Sequence, residues 1–147
     1  MDKFKRMLRY LSMGIFLLSL CLDAYCVQDN CNNSASGFYC LTMGWLGLFT
    51  GGAFISWLAN PFLFLAWLAA CRRTLLAIIF SGISAIFSLS FLFFSKIMVD
   101  EAGHFGDISQ YKLGYWFWLL SSVIFFLGNI WLIYKTANSN VEKNHLQ

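Results

Sequence analysis

The sequence predicts an all-α integral membrane four-helix bundle with both termini in the cytoplasm, and three observations predict it. Of the 147 residues, 59% are hydrophobic and only 12% charged, about half the charge of an ordinary soluble domain. Four apolar stretches, at about 8–27, 41–70, 74–99 and 114–134, are each long enough to cross ~30 Å of hydrocarbon at ~1.5 Å per helical residue. The basic residues are shared unevenly among the flanking segments: Lys3, Lys5, Arg6, Arg9, Arg72, Arg73, Lys135 and Lys143 fall on one side, Lys96 and Lys112 on the other. By the positive-inside rule that imbalance places both termini and the 72–73 turn in the cytoplasm, with 28–40 and 100–113 facing outward. The short connections leave a single transmembrane domain. A net charge of +3 at the ends of apolar segments is not the clustered basic face of a nucleic-acid-binding protein.

The first span has a basic start and an apolar run from Leu11 to Leu22. With Ala24 and Cys26 at cleavage-like spacing, the same residues also read as a secretory signal. The orientation of the remaining spans is the same either way. Asp23 falls in the outer part of this span, where a carboxylate reaches the interface, meets Lys96 or Lys112, or is protonated.

The second region is too long for one straight span, since a continuous helix over 41–71 would measure roughly 45 Å. Gly51-Gly52 and Asn60-Pro61 are the candidate breaks, because glycine weakens a helix and proline removes a backbone donor. Either the segment around Gly44, Trp45, Gly47 and Phe49 lies at the interface with the true span after it, or the helix is continuous and kinked at Pro61. Asn60 and Asn129 are the polar residues at depth. Such amides hydrogen-bond across helices, or, for Asn60, serve the backbone group that proline leaves free.

In the third span Ala77, Ser81, Ser84, Ala85, Ser88 and Ser95 recur on one side, a small-residue face that admits a close neighbour. The fourth span opens on Gly114-Tyr115-Trp116-Phe117-Trp118 and closes near Trp131 and Tyr134, aromatics that mark two water interfaces.

Candidate chemistry is sparse. Cys31 and Cys40, flanking the first outward loop, are the expected pair for a structural disulfide in an oxidising compartment. With no Cys-x-x-Cys and no cysteine in the second outward loop, thiol exchange lacks a resolving partner. Asp100, Glu101, His104 and Asp107 form an outward acidic loop. It matches neither a zinc nor a calcium motif and reads as a cap or partner-facing surface. No catalytic, cofactor-binding or metal-binding residue is expected.

Cys40 with Gly44-Trp45, Trp57-Leu58-Ala59-Asn60-Pro61, Asp100-Glu101-Ala102-Gly103 and Gly114-Tyr115-Trp116-Phe117-Trp118 together resemble a family of small, uncharacterised bacterial four-span membrane proteins. The Trp-Leu-Ala-Asn-Pro run is the most specific element. The resemblance implies a bacterial inner-membrane location and carries no activity with it. The expected function is that of a non-enzymatic interaction or accessory protein, working with the bilayer and a protein partner in the membrane or periplasm. Immunity to a membrane-targeting toxin is one specific form. The alternatives are a small transporter or channel component built on the Asn60-Pro61 break, and a membrane thiol-redox protein using Cys31 and Cys40. Oligomeric state is left open.

Overall fold

The structure, a computed structural model, describes residues 2–27, 35–100 and 102–145. Its elements are α1 (Asp2–Leu20), β1 (Asp23–Val27), β2 (Ala35–Ser36), α2 (Gly37–Met43), α3 (Ala59–Ala69), α4 (Thr74–Ser90), β3 (Lys96–Met98), β4 (Phe105–Tyr111) and α5 (Leu113–His145). Short 3-10 turns at Leu46–Phe49, Gly52–Leu58 and Phe91–Phe93 link some of them.

The fold is mixed, which corrects the all-α four-helix expectation. A four-stranded antiparallel sheet in the order β2-β1-β4-β3 sits where α1 and α4 end and α5 begins, curved into a half-barrel. The central pairing sets Tyr25 opposite Tyr111, Cys26 opposite Gln110 and Val27 opposite Ile108. Lys96, Ile97 and Met98 face Asp107, Gly106 and Phe105 on the other side of β4. The ends of the expected first and third spans are therefore strands. Once the helices bring residues 23–27 and 96–98 beside 105–111, backbone pairing satisfies groups that a helix end would leave open. Tyr, Cys, Val and Ile also suit a half-buried pleat.

Among the described residues, three helices are long and apolar enough to cross a membrane: Gly52–Ala69, Thr74–Phe93 and Leu113–Asn138. The first of these joins the 3-10 turn to α3. In α1, Lys3, Lys5, Arg6 and Arg9 occupy the first two turns, which shortens its apolar run. It packs along α5 nonetheless, as α3 packs along α4 and α4 along α5.

Leu8 and Phe16 from α1, Leu63, Ala66 and Trp67 from α3, Ala77 from α4, and Phe125 and Leu132 from α5 fill one core. Small polar side chains stitch it together. Ser12 Oγ donates to the Ser121 carbonyl at 2.9 Å and accepts from Trp67 Nε1 at 3.0 Å. Ser84 Oγ lies 2.8 Å from the Ala59 carbonyl and 2.9 Å from Ser122 Oγ. Ala77, Ser81, Ser84, Ala85 and Ser88 are all buried, so the small face of α4 is its packing face. Ser95 lies beyond the helix and is exposed.

A second core lies under the sheet. Phe91, Tyr111 and Tyr115 form a ring cluster with centroids 5.1–5.7 Å apart, and Tyr25 packs at a tilt against Phe91 with centroids 5.4 Å apart. Ala53, Ile97 and Leu119 complete it.

The second apolar region divides where glycine permits. Gly51 and Gly52 adopt φ of 75° and 62°, conformations that side chains with a Cβ rarely take, and they separate the 37–49 segment from the helix that follows. Pro61 stands in the first turn of α3, directly after the 3-10 turn, where its missing N–H disrupts little.

Candidate functional site

The half-barrel does not pack flat on the helices. Between them lies a cavity of about 690 Å³, within the ~300–1,000 Å³ range of ligand-sized pockets. Its walls are Tyr25 and Val27 of β1, Met98 and Val99 leading from β3, Cys40 and Met43 of α2, and Phe54 and Trp57 of the 3-10 turn. Asn60, Tyr115 and Trp118 form its helical floor. The 37–49 segment can fold this closely over the turn because Gly47 has no Cβ: one there would run into the Phe54 ring.

The polar groups around the cavity are committed to the fold. Asn60 Nδ2 donates to the Trp57 carbonyl at 3.0 Å, standing in for the N–H that Pro61 lacks at the carbonyl four residues back. Asn60 Oδ1 accepts from Trp118 Nε1 at 2.8 Å. Trp57 Nε1 donates to the Leu41 carbonyl at 2.9 Å, and Tyr115 Oη to that of Ser88 at 3.0 Å. Ser56 Oγ and Ser90 Oγ lie 3.1 Å apart. The interior offered to a guest is therefore mainly apolar.

Cys40 carries a free thiol, which corrects the expected Cys31–Cys40 disulfide. Cys26 of β1 is the described cysteine that is disulfide-bonded, while Cys31 lies outside the described residues. The reason lies in α2: Ser36 caps its start, accepting from the Tyr39 N–H, and the helix turns Cys40 inward onto Tyr25, with which it shares a hydrogen bond. Burial pushes the Cys40 thiol up to about 11, and the same burial raises the Tyr25 hydroxyl. At neutral pH this thiol is almost wholly protonated, the opposite of what exchange chemistry requires.

The acidic loop is a hairpin turn between β3 and β4. Gly103 takes φ 86°, and the Asp100 carboxylate is held by His104, accepting from its backbone N–H at 3.0 Å and meeting its Nδ1 at 2.6 Å. These bonds lower the Asp100 pKa, the backbone bond contributing most. Asp107 instead faces Lys96 across the strands at 3.9 Å. Glu101 lies outside the described residues, and among the described residues no three metal-ligating side chains meet. Asp23 pairs with Lys112 at 3.9 Å.

The structure thus brings Cys40, Asn60, Pro61 and Asp100 to the sheet end and leaves Asn129 apart in α5, where its Nδ2 donates to the Phe125 carbonyl of its own helix at 2.7 Å. Tyr25, Phe54, Met98 and Trp118 are the cavity residues that sequence reasoning passed over. Each comes from a different segment; Trp118 stands in the Gly114-Tyr115-Trp116-Phe117-Trp118 run, where it reads as an interface aromatic, and the amide of Asn60 seeking a partner across helices was the one signal available.

Comparison with family models, curated proteins and solved structures finds no match. The site is read from its own geometry.

Proposed function

We propose that this chain is a multi-pass protein of the bacterial inner membrane, with the sheet outside and the basic helix ends in the cytoplasm. It works as a non-enzymatic interaction protein, seating an apolar segment of a partner protein in the cavity under the half-barrel. The observation that carries this reading is the cavity itself: its volume suits a guest, and its polar groups already have partners. Large side chains beside it support a protein guest, since Phe38, Tyr39, Met43 and Trp45 are all about half exposed or more, and aromatic residues and Met are enriched at interfaces. The membrane location draws on the three apolar helices, and the orientation on the charge imbalance.

A photoreactive residue at Met43 tests the reading in growing cells, with Leu120 on the outer face of α5 as the reference position. A discrete protein adduct at position 43, absent at 120 and lost when Met98→Trp fills the cavity, is the expected result. Adducts to lipid alone at both positions sink it. If the partner is a membrane-targeting toxin, the same Met98→Trp change removes protection in a survival assay.

A further inference from the structure

Opposite the sheet, α1 and the turn between α3 and α4 draw cations together from separate parts of the chain. Lys5 Nζ donates to Thr74 Oγ1 at 2.8 Å. One turn on, the Arg9 guanidinium donates to Cys71 Sγ, while its Nε is buried with no partner. The turn that receives both supplies Arg72 and Arg73, each exposed.

This positive charge has no counter-charge within the described structure. The ion pairs among the described residues all lie at the sheet end: Lys96 with Asp107, Lys112 with Asp23, and His104 with Asp100. α4 begins at the same place, with Arg73 extended and no side chain capping the first turn, so the positive end of a helix adds to the field. Next to the cations the surface is apolar, with Met7, Leu68 and Leu75 each more than half exposed. A group of donors bordered by apolar side chains matches an amphiphile whose anionic head sits above its chains. Guanidinium forks match the geometry of phosphate oxygens, and basic pockets between helices on the cytoplasmic side of a membrane bind acidic lipid headgroups.

We propose that Lys5, Arg9, Arg72 and Arg73 form a site for the phosphodiester headgroup of an anionic phospholipid, lodged between α1 and the α3–α4 turn. The site rests on the membrane reading above, so alkaline carbonate extraction is done first. Release of the chain from membranes by carbonate is failure of that reading, and retention makes the lipid test decisive for the site.

The purified full chain in neutral detergent is titrated with phosphatidylglycerol, phosphatidylcholine or inorganic phosphate while its unfolding midpoint is followed. Phosphatidylglycerol raises the midpoint saturably and the other two do not. R72Q/R73Q weakens the apparent affinity about fivefold per cation removed, roughly 25-fold for the pair, whereas K96Q at the sheet end matches the parent. Equal stabilisation by phosphatidylcholine, or by phosphate alone, overturns the lipid site, as does a double variant that responds like the parent. If R72Q/R73Q does not fold, K5Q takes its place with a fivefold loss expected, and native mass spectrometry of the parent must show retained phosphatidylglycerol in preference to phosphatidylcholine.

Discussion

The two cores of this molecule are built from different materials. In the helical core, serine and alanine let backbones approach, and hydroxyls at 2.8–3.0 Å tie α1 to α5 and α4 to its neighbours. Beneath the sheet the contacts are between rings, with Phe91, Tyr111 and Tyr115 holding strands and helices apart. Small residues close a gap and large rigid ones prop it open. The cavity lies at the second core for that reason, and a protein can keep one end dense and the other receptive within a single chain.

The largest effect expected from this contrast is at Phe125, fully buried in the helical core. Phe125→Ala is expected to cost about 3–5 kcal/mol, read from chemical or thermal unfolding in detergent. Phe91→Ala removes the same side chain from the rim of an existing space and costs clearly less; equal costs would erase the distinction between the cores. Trp118→Phe keeps the ring but leaves Asn60 Oδ1 without its donor, for a loss of about 1–3 kcal/mol. Hydrogen exchange then quickens at 57–61, and unchanged exchange there would show that the amide does not brace the proline turn. Ser84→Ala takes a hydroxyl from the Ala59 carbonyl and Ser122 and costs about 1 kcal/mol.

Smaller still are the titration effects. The Cys40 thiol is raised from 9.0 to about 11 in the folded chain. The stability it contributes is present below pH 9 and is lost as pH rises from 9 towards 11, because the unfolded thiol ionises first. Cys40→Ser flattens that part of the pH profile, and maleimide at pH 8 labels the exposed Cys21 and Cys71 before Cys40. Asp100 has the opposite sign. Its pKa is lowered by the bonds to His104, so its contribution is present above the ordinary carboxylate range and falls away as pH drops through the folded value. In carboxyl NMR, Asp100 titrates below the ordinary carboxylate range, and His104→Asn moves it part of the way back by removing the ring contact.

Much of the helical half was legible in the sequence. The repeating Ala and Ser positions of the third span mark the buried face of α4, and Gly51-Gly52 marks where the second apolar region divides. The sheet was not legible, for physical reasons that particular residues illustrate. Tyr25, Cys26 and Val27 continue an apolar run, so nothing local separates a strand from a helix end there; their partners Ile108, Gln110 and Tyr111 lie in a stretch polar enough to read as loop. Cys40 shows the same limit. Spacing makes it a plausible partner for Cys31, but the direction it faces is set by the cap at Ser36 and by Tyr25. The cavity depends on both unseen features.

The pairing of β1 with β4 also fixes an order of assembly. β1 is made early, and the strand that receives it follows roughly eighty residues later, several seconds at ~5–20 residues per second. Through that interval Asp23–Val27 has left the ribosome with the edge that β4 will pair still open. The helices can find one another as they are inserted, but the half-barrel and the hollow it encloses can exist only after the fifth helix has begun to enter. Any factor that guards this chain during synthesis has to guard that strand.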